Sequence, residues 1–137
     1  MIAPLSPNTA TRRFTPGSCI VNCNGAQMRA HCRGQVTVVK VTGDIDATNV
    51  DRFYDYTHRF VREAPGLILD LSGVDFLSAR GISILVELDN DCRTAGTRWA
   101  IVDSPFIQRL LRLGDPRDVL TTASSEHQAL KIIAVQR

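Results

Sequence analysis

From residue 36 onward the apolar positions alternate between two rhythms, one suited to strands and one to helices. Val36-Thr37-Val38-Val39-Lys40-Val41 is a β-branched run, apolar on both sides at Val38 and Val39, which predicts an interior strand. Gly43-Asp44-Ile45-Asp46 reads as a turn. Val50, Phe53, Tyr54, Thr57, Phe60 and Val61 then recur at three- and four-residue steps, predicting a helix over 47–62 capped by Asp46 and stopped by Ala64-Pro65-Gly66. Leu67-Ile68-Leu69-Asp70-Leu71 lacks alternation, as expected of a strand covered on both faces. Residues 72–77 link it to a second helix over 79–94, whose stripe is Ile82, Leu85, Val86, Leu88 and Cys92 with Asp89 at the margin. A strand follows over 98–102. Ser104-Pro105 opens a third helix with a capping hydroxyl and a proline in the first turn; Phe106, Ile107, Leu110, Leu111 and Leu113 form its stripe and Gly114 its stop. A short strand over 119–121 and a last helix complete the series, the helix capped by Ser125 with Gln128 in the capping-box position.

Upstream the pattern is weaker. Residues 1–17 hold Pro4, Pro7 and Pro16 among small polar side chains, and residues 1–25 are expected to be a flexible or partly ordered leader. Stretches 18–21 and 26–32 suit two short strands around Asn24-Gly25, a dipeptide that tolerates the positive φ of a tight hairpin. Strands alternating with helices argue for one α/β domain over 26–137, with a mostly parallel mixed sheet and about four helices.

Composition narrows the function. The chain has 137 residues, 44% of them apolar, and a formal net charge of +2. Arg12, Arg13, Arg29 and Arg33 supply all the charge of residues 1–35, leaving the rest with an excess of two acids. A nucleic-acid-binding core needs a basic face, so direct binding of nucleic acid is not expected. No apolar run approaches the length of a membrane span and the start lacks the features of a signal peptide, so a cytoplasmic protein is expected. Cys19 and Cys23 have a spacing found in zinc sites, but His31 and Cys32 are adjacent and fit one tetrahedral ion poorly. A Cys23–Cys32 disulfide across a hairpin is an alternative to the favoured free thiols, and Cys92 reads as a buried hydrophobe. No cofactor or metal is expected.

Catalytic patterns are missing. There is no glycine-rich phosphate loop, no G-x-S-x-G and no C-x-x-C. Asp70, Asp75 and Asp103 are placed to follow parallel strands, as in a phosphoryl-accepting magnesium site, but the paired acids and late lysine of such a site are not evident. The chain is therefore read as a binding protein and not an enzyme. Its distinctive segment is Phe76-Leu77-Ser78-Ala79-Arg80-Gly81-Ile82, where a glycine sits in the opening of a helix at a cost of about 1 kcal/mol relative to alanine. Access for a partner backbone is one benefit that would offset this cost, and free amides at a helix start favour an anion or a partner carboxylate.

Residues 36–130 resemble a STAS domain, the fold of bacterial anti-sigma factor antagonists. The resemblance rests on Val38-Val39-Lys40-Val41-Thr42-Gly43-Asp44-Ile45-Asp46, similar to the family's strand and G-[ED]-[LI]-D, and on Leu69-Asp70-Leu71-Ser72-Gly73-Val74-Asp75-Phe76-Leu77, similar to its D-L-S-G-V-x-F-[ML] core. Ala95-Gly96, the Leu110 to Gly114 segment and Ala129-Leu130 also fit. The resemblance implies a module that regulates transcription by binding an anti-sigma factor, often one with a serine kinase domain, thereby releasing a sigma factor. It also implies a phosphorylatable serine in a D-S-S-G segment at the start of the second helix. The matching residues are Ser78, Ala79, Arg80 and Gly81, so the acceptor position is Ala79, which has no hydroxyl, and Ser78 is the displaced alternative. The partner-facing surface so implied comprises Asp46, Ser78, Ala79, Arg80 and Gly81, with Asp44 and Ser72 as second choices. Two alternatives remain open: a STAS module in a transporter or stressosome-like scaffold, and a small-ligand or nucleotide sensor. The oligomeric state is not legible.

Overall fold

The computed structural model describes residues 20–115 and 117–136. Six strands form one sheet in sequence order: β1 (Ile20–Cys23), β2 (Ala26–Arg33), β3 (Val36–Ile45), β4 (Gly66–Leu77), β5 (Arg98–Val102) and β6 (Thr122–Ala123). The first three are antiparallel neighbours, and β3 to β6 are parallel. Four helices intervene or follow: α1 (Val50–Glu63), α2 (Ala79–Ala95), α3 (Pro105–Gly114) and α4 (Glu126–Val135). The mixed α/β sheet with four helices matches the expected fold class.

The topology fixes the layers. Each parallel crossover adds its strand on the same side of the last, and right-handed crossovers then deliver α1, α2 and α3 to a single face. That face holds the larger core, where Phe53, Phe60, Leu85, Leu88 and Ile107 meet Met28, Val39, Val41, Leu67, Leu69 and Ile101. Only α4 reaches the other face, over β4, β5 and β6, where Ala129 and Ile133 pack on Val38, Ile68, Ala100 and Val102. Among the described residues, no helix lies over the outward residues of β1 and β2.

Three boundaries differ from expectation. β1 and β2 meet at Asn24 and Gly25, both with positive φ as the hairpin requires; β1 lies within residues 1–25, while 1–19, including Cys19 and the three leader prolines, fall outside the described residues. The segment read as a turn at Gly43-Asp44-Ile45 belongs to β3, and the expected link over 72–77 belongs to β4. These two ends pair with each other through irregular register, Asp44 opposite Phe76 and Ile45 opposite Leu77. The short strand expected at 119–121 is displaced to β6 because Asp115 uses both carboxylate oxygens to accept from the amides of Val119 (3.0 Å) and Leu120 (2.9 Å).

Cys23 and Cys92 are buried, Cys32 is exposed, and all three are free thiols. Burial, with Asp89 and Asp91 nearby, pushes the Cys92 thiol up to about 12. Asp89, expected at the margin of α2, is buried: it accepts from the Trp99 indole N–H at 2.9 Å and pairs with Arg93.

Candidate functional site

β3 and β4 end side by side, and α1 and α2 start just beyond them. At this junction the Ser78 amide donates to the Ile45 carbonyl at 3.0 Å, joining the α2 start to the end of β3. The Ser78 hydroxyl accepts from the Gly81 amide at 3.1 Å and so caps α2. Arg80 is exposed and reaches across to Asp51 in the first turn of α1, with Nη2 3.2 Å from Oδ1. Both groups are solvated, so this bridge contributes little to stability. Ala79 is also exposed.

Asp46 does not cap α1 as expected. Its Oδ1 accepts from the Thr48 amide (2.9 Å) and hydroxyl (2.6 Å), and its own carbonyl accepts from Asn49 and Val50, making a turn that delays the helix to Val50. The Thr48 hydroxyl, aided by the Thr48 amide, holds the Asp46 carboxyl below the ordinary aspartate value. Asp44 is exposed beside this turn.

The structure thus brings Asp44, Asp46, Ser78, Ala79 and Arg80 to one junction. Ser72 stands apart on β4, roughly 13 Å back along the strand from Phe76 at the usual rise per residue, and donates its amide and hydroxyl to Asp70 Oδ1 at 2.9 and 2.7 Å. Gly81 is at the junction but buried. A side chain added there would sit 2.5 Å from Leu77 Cδ1, so the close approach this glycine permits is to the protein's own β4 and not to a partner backbone.

Two residues outside the expected partner-facing set, Asn49 and Phe76, complete the junction. Asn49, 1% exposed, donates Nδ2 to the carbonyls of Cys23 (2.8 Å), Asp44 (2.8 Å) and, less closely, Asn24 (3.2 Å), while its Oδ1 accepts from the Asp46 amide at 3.0 Å. Phe76, two residues before Ser78, is 48% exposed. Leu113, assigned from periodicity to the buried stripe of α3, is instead 82% exposed. Its neighbour Gly114 abuts the Ile82 side chain in the opening of α2. An aromatic residue directly before the helix-opening motif was the available signal for Phe76; nothing local distinguished Asn49.

The acids weighed for a metal do not assemble one. Asp70 is engaged by Ser72, Asp75 is exposed, and Asp103 is buried at the end of β5. Among the described residues no three His, Cys, Asp or Glu side chains are grouped to hold an ion. Asp103 instead lines an open cleft of about 440 Å³ with Gln108, Arg112, Asp115, Asp118 and Thr122. Burial raises its pKa, against hydrogen bonds from Gln108 and Thr122 that pull the other way. No helix of the described residues is long and apolar enough to cross a membrane.

Comparison with known proteins agrees with this architecture. The STAS domain model matches residues 27–129. The chain is 37% identical over 135 residues to Osmosensory protein A of Mycobacterium tuberculosis, covering 96% of this chain and 85% of that protein. An anti-sigma factor antagonist from Mycobacterium paratuberculosis superposes with a TM-score of 0.72 at 22% identity, over 88% of this chain and 99% of the other. The anti-sigma factor antagonist SpoIIAA in its unphosphorylated form superposes with a TM-score of 0.63 at 10% identity, over 80% and 99%. With the family model matching most of its length and a relative this similar, the chain belongs to the STAS domain family.

Proposed function

We propose that the chain acts by binding and not by catalysis, as an anti-sigma factor antagonist: it takes up an anti-sigma factor, of the serine-kinase type or otherwise, at the mouth of α2 and so frees a sigma factor in the cytoplasm. The observation that carries this reading is the half-exposed Phe76 beside exposed Ala79 and Arg80. An aromatic anchor next to an arginine is the composition of an interface hot spot. Asp44 and Asp46 frame it with negative charge. Ala79 offers no hydroxyl, and Ser78 is half-buried with its oxygen committed to the Gly81 amide, so a kinase would have to open the helix cap to reach it. The binder proposed is therefore not switched at the family's acceptor position.

The test is capture of the partner on the folded chain from a native lysate, followed by calorimetry with the purified anti-sigma factor. Phe76→Ser and Arg80→Glu are each expected to weaken binding tenfold or more while leaving the melting temperature within a few degrees. Recovery of no anti-sigma factor on folded bait, or wild-type affinity in both variants, would refute the assignment. The cleft at Asp103 favours a second reading, a small-ligand sensor, since its volume is that of a ligand site. A nucleotide or metabolite that raises the melting temperature, with the effect lost in Arg112→Ala, would support that reading.

A further inference from the structure

A different part of the molecule carries a further interaction. Since α4 lies over β4 to β6 and the Val36 and Val38 end of β3, among the described residues the outward side chains of β1 and β2, and Lys40 and Thr42 of β3, are left partly or fully exposed. Ile20, Arg29, Lys40 and Asp70 form a row across it as successive register partners. Ile20 is 50% exposed. Ile20, Gln27, Met28, Arg29, Lys40 and Thr42 line a groove of about 180 Å³.

Two cations stand side by side on this face. Arg29 and Lys40 are directly opposite each other on antiparallel strands, an arrangement that repels. Among the described residues no carboxylate lies within ion-pair distance of either. Three cations elsewhere do have such a partner, Arg33 with Glu126, Arg80 with Asp51 and Arg93 with Asp89. Asp70, next in the row, is buried and occupied by Ser72.

We propose that this face docks an acidic, extended segment of another protein, its carboxylates set against Arg29 and Lys40 and an apolar side chain against Ile20. Other occupants fit less well. Residues 1–19 carry Arg12 and Arg13 and no acid, the wrong charge. A second copy in two-fold contact would set the same cations against each other. A nucleic acid or anionic membrane needs a longer basic stripe, whereas Glu126 already neutralises Arg33 at one end of this face and Asp70 closes the row. The inference is independent of the α2 surface, with which it shares no residue.

The probe is a fluorescein-labelled hexapeptide alternating valine and glutamate, which places every carboxylate on one side of an extended chain; the control replaces glutamate with glutamine. Anisotropy with the full chain is expected to show saturable binding of the acidic peptide alone. The double substitution Arg29→Glu/Lys40→Glu should lower affinity at least tenfold, and Arg80→Glu should leave it unchanged. If the double variant fails to melt cooperatively, Arg29→Gln/Lys40→Gln replaces it with the same expectation. Equal binding of the glutamine peptide, unchanged affinity in the double variant, or no binding would overturn the proposal. So would displacement of the peptide by a single-stranded oligonucleotide or phosphatidylserine vesicles at lower concentration than unlabelled peptide. Sedimentation showing a wild-type dimer that the double variant loses would assign the face to a second copy and also overturn it.

Discussion

Asn49 ties three parts of the fold together, and its removal should be felt in all of them. Its amide has two N–H groups, which make two good bonds at once, to Cys23 and Asp44 at 2.8 Å each; Asn24 at 3.2 Å shares one of them. Its oxygen accepts a third from Asp46. At about 1 kcal/mol net per buried hydrogen bond, Asn49→Ala should cost about 3 kcal/mol, because the polar groups left behind stay shielded from water. For a domain of this size that corresponds to a fall in melting temperature of roughly 10 °C. The companion Asn49→Asp sharpens the test: it keeps the acceptor for the Asp46 amide but turns an oxygen toward three carbonyls. Desolvation and those carbonyls would raise the folded-state pKa of the new carboxyl above the unfolded value of about 3.9. Stability of this variant should then be greatest near pH 3.5 relative to wild type, and the deficit should widen as pH rises through 4 to 7, since the unfolded state releases the proton first. Urea denaturation of the three proteins at several pH values reads both effects. A loss below about 1 kcal/mol for Asn49→Ala, or a pH-independent difference between Asn49→Asp and wild type, would show that the Asn49 amide is not the pin described.

Two further substitutions test the packing around the same sheet. Gly43 has φ +93°, and a side chain there would lie 2.2 Å from the Gly25 carbonyl oxygen, which also accepts from the Asp44 amide at 3.0 Å. Gly43→Ala should therefore cost about 3 kcal/mol in urea denaturation, from backbone strain of roughly 1–2 kcal/mol plus the lost hydrogen bond; a cost under 1 kcal/mol would contradict the close approach. Thr57 is wholly buried in α1 and its hydroxyl has no hydrogen-bond partner among the described residues. Thr57→Val keeps the shape and removes the stranded polar group, so the urea midpoint should rise by the equivalent of about 1 kcal/mol; a fall would mean that the hydroxyl is satisfied in solution.

What the sequence showed well was what local chemistry determines. Ser104 and Ser125 cap α3 and α4 by accepting from Ile107 and Gln128, at the positions read from hydroxyl and proline placement. Gln128 departs by one residue, accepting from the amide and hydroxyl of Ser124 instead of reaching the Ser125 amide. The missed features depend on partners distant in the chain. Gly43–Ile45 and Ser72–Leu77 look like loops because they mix glycine, acids and apolar residues, yet each supplies the other with a strand neighbour. Tyr56, not Tyr54, joins the fully buried side of α1. Tyr54 lies between solvent and core with its hydroxyl on Asp91 at 2.8 Å; burial and that carboxylate push its pKa up to about 12. A helical wheel cannot anticipate a hydrogen bond offered by another helix.

The same distinction decides what the α2 mouth can do. Read from sequence, a glycine in the opening of the helix suggested room for a visitor; in three dimensions the space belongs to Leu77, and the glycine lets β4 turn into α2 without a clash. What remains outward is apolar at Phe76, positive at Arg80, and without a hydroxyl at Ala79. A phosphorylated serine would bring −1.5 to −2 charges to such a surface. This surface instead has no acceptor hydroxyl at Ala79 and presents the Arg80 guanidinium beside it. On the reading proposed above, occupancy of the partner then follows the amounts of the two proteins, by mass action, and not the activity of a kinase at this position. On the same reading, switching acts through a second contact, and the doubly cationic strip of Arg29 and Lys40 on β2 and β3 is the place proposed above for one.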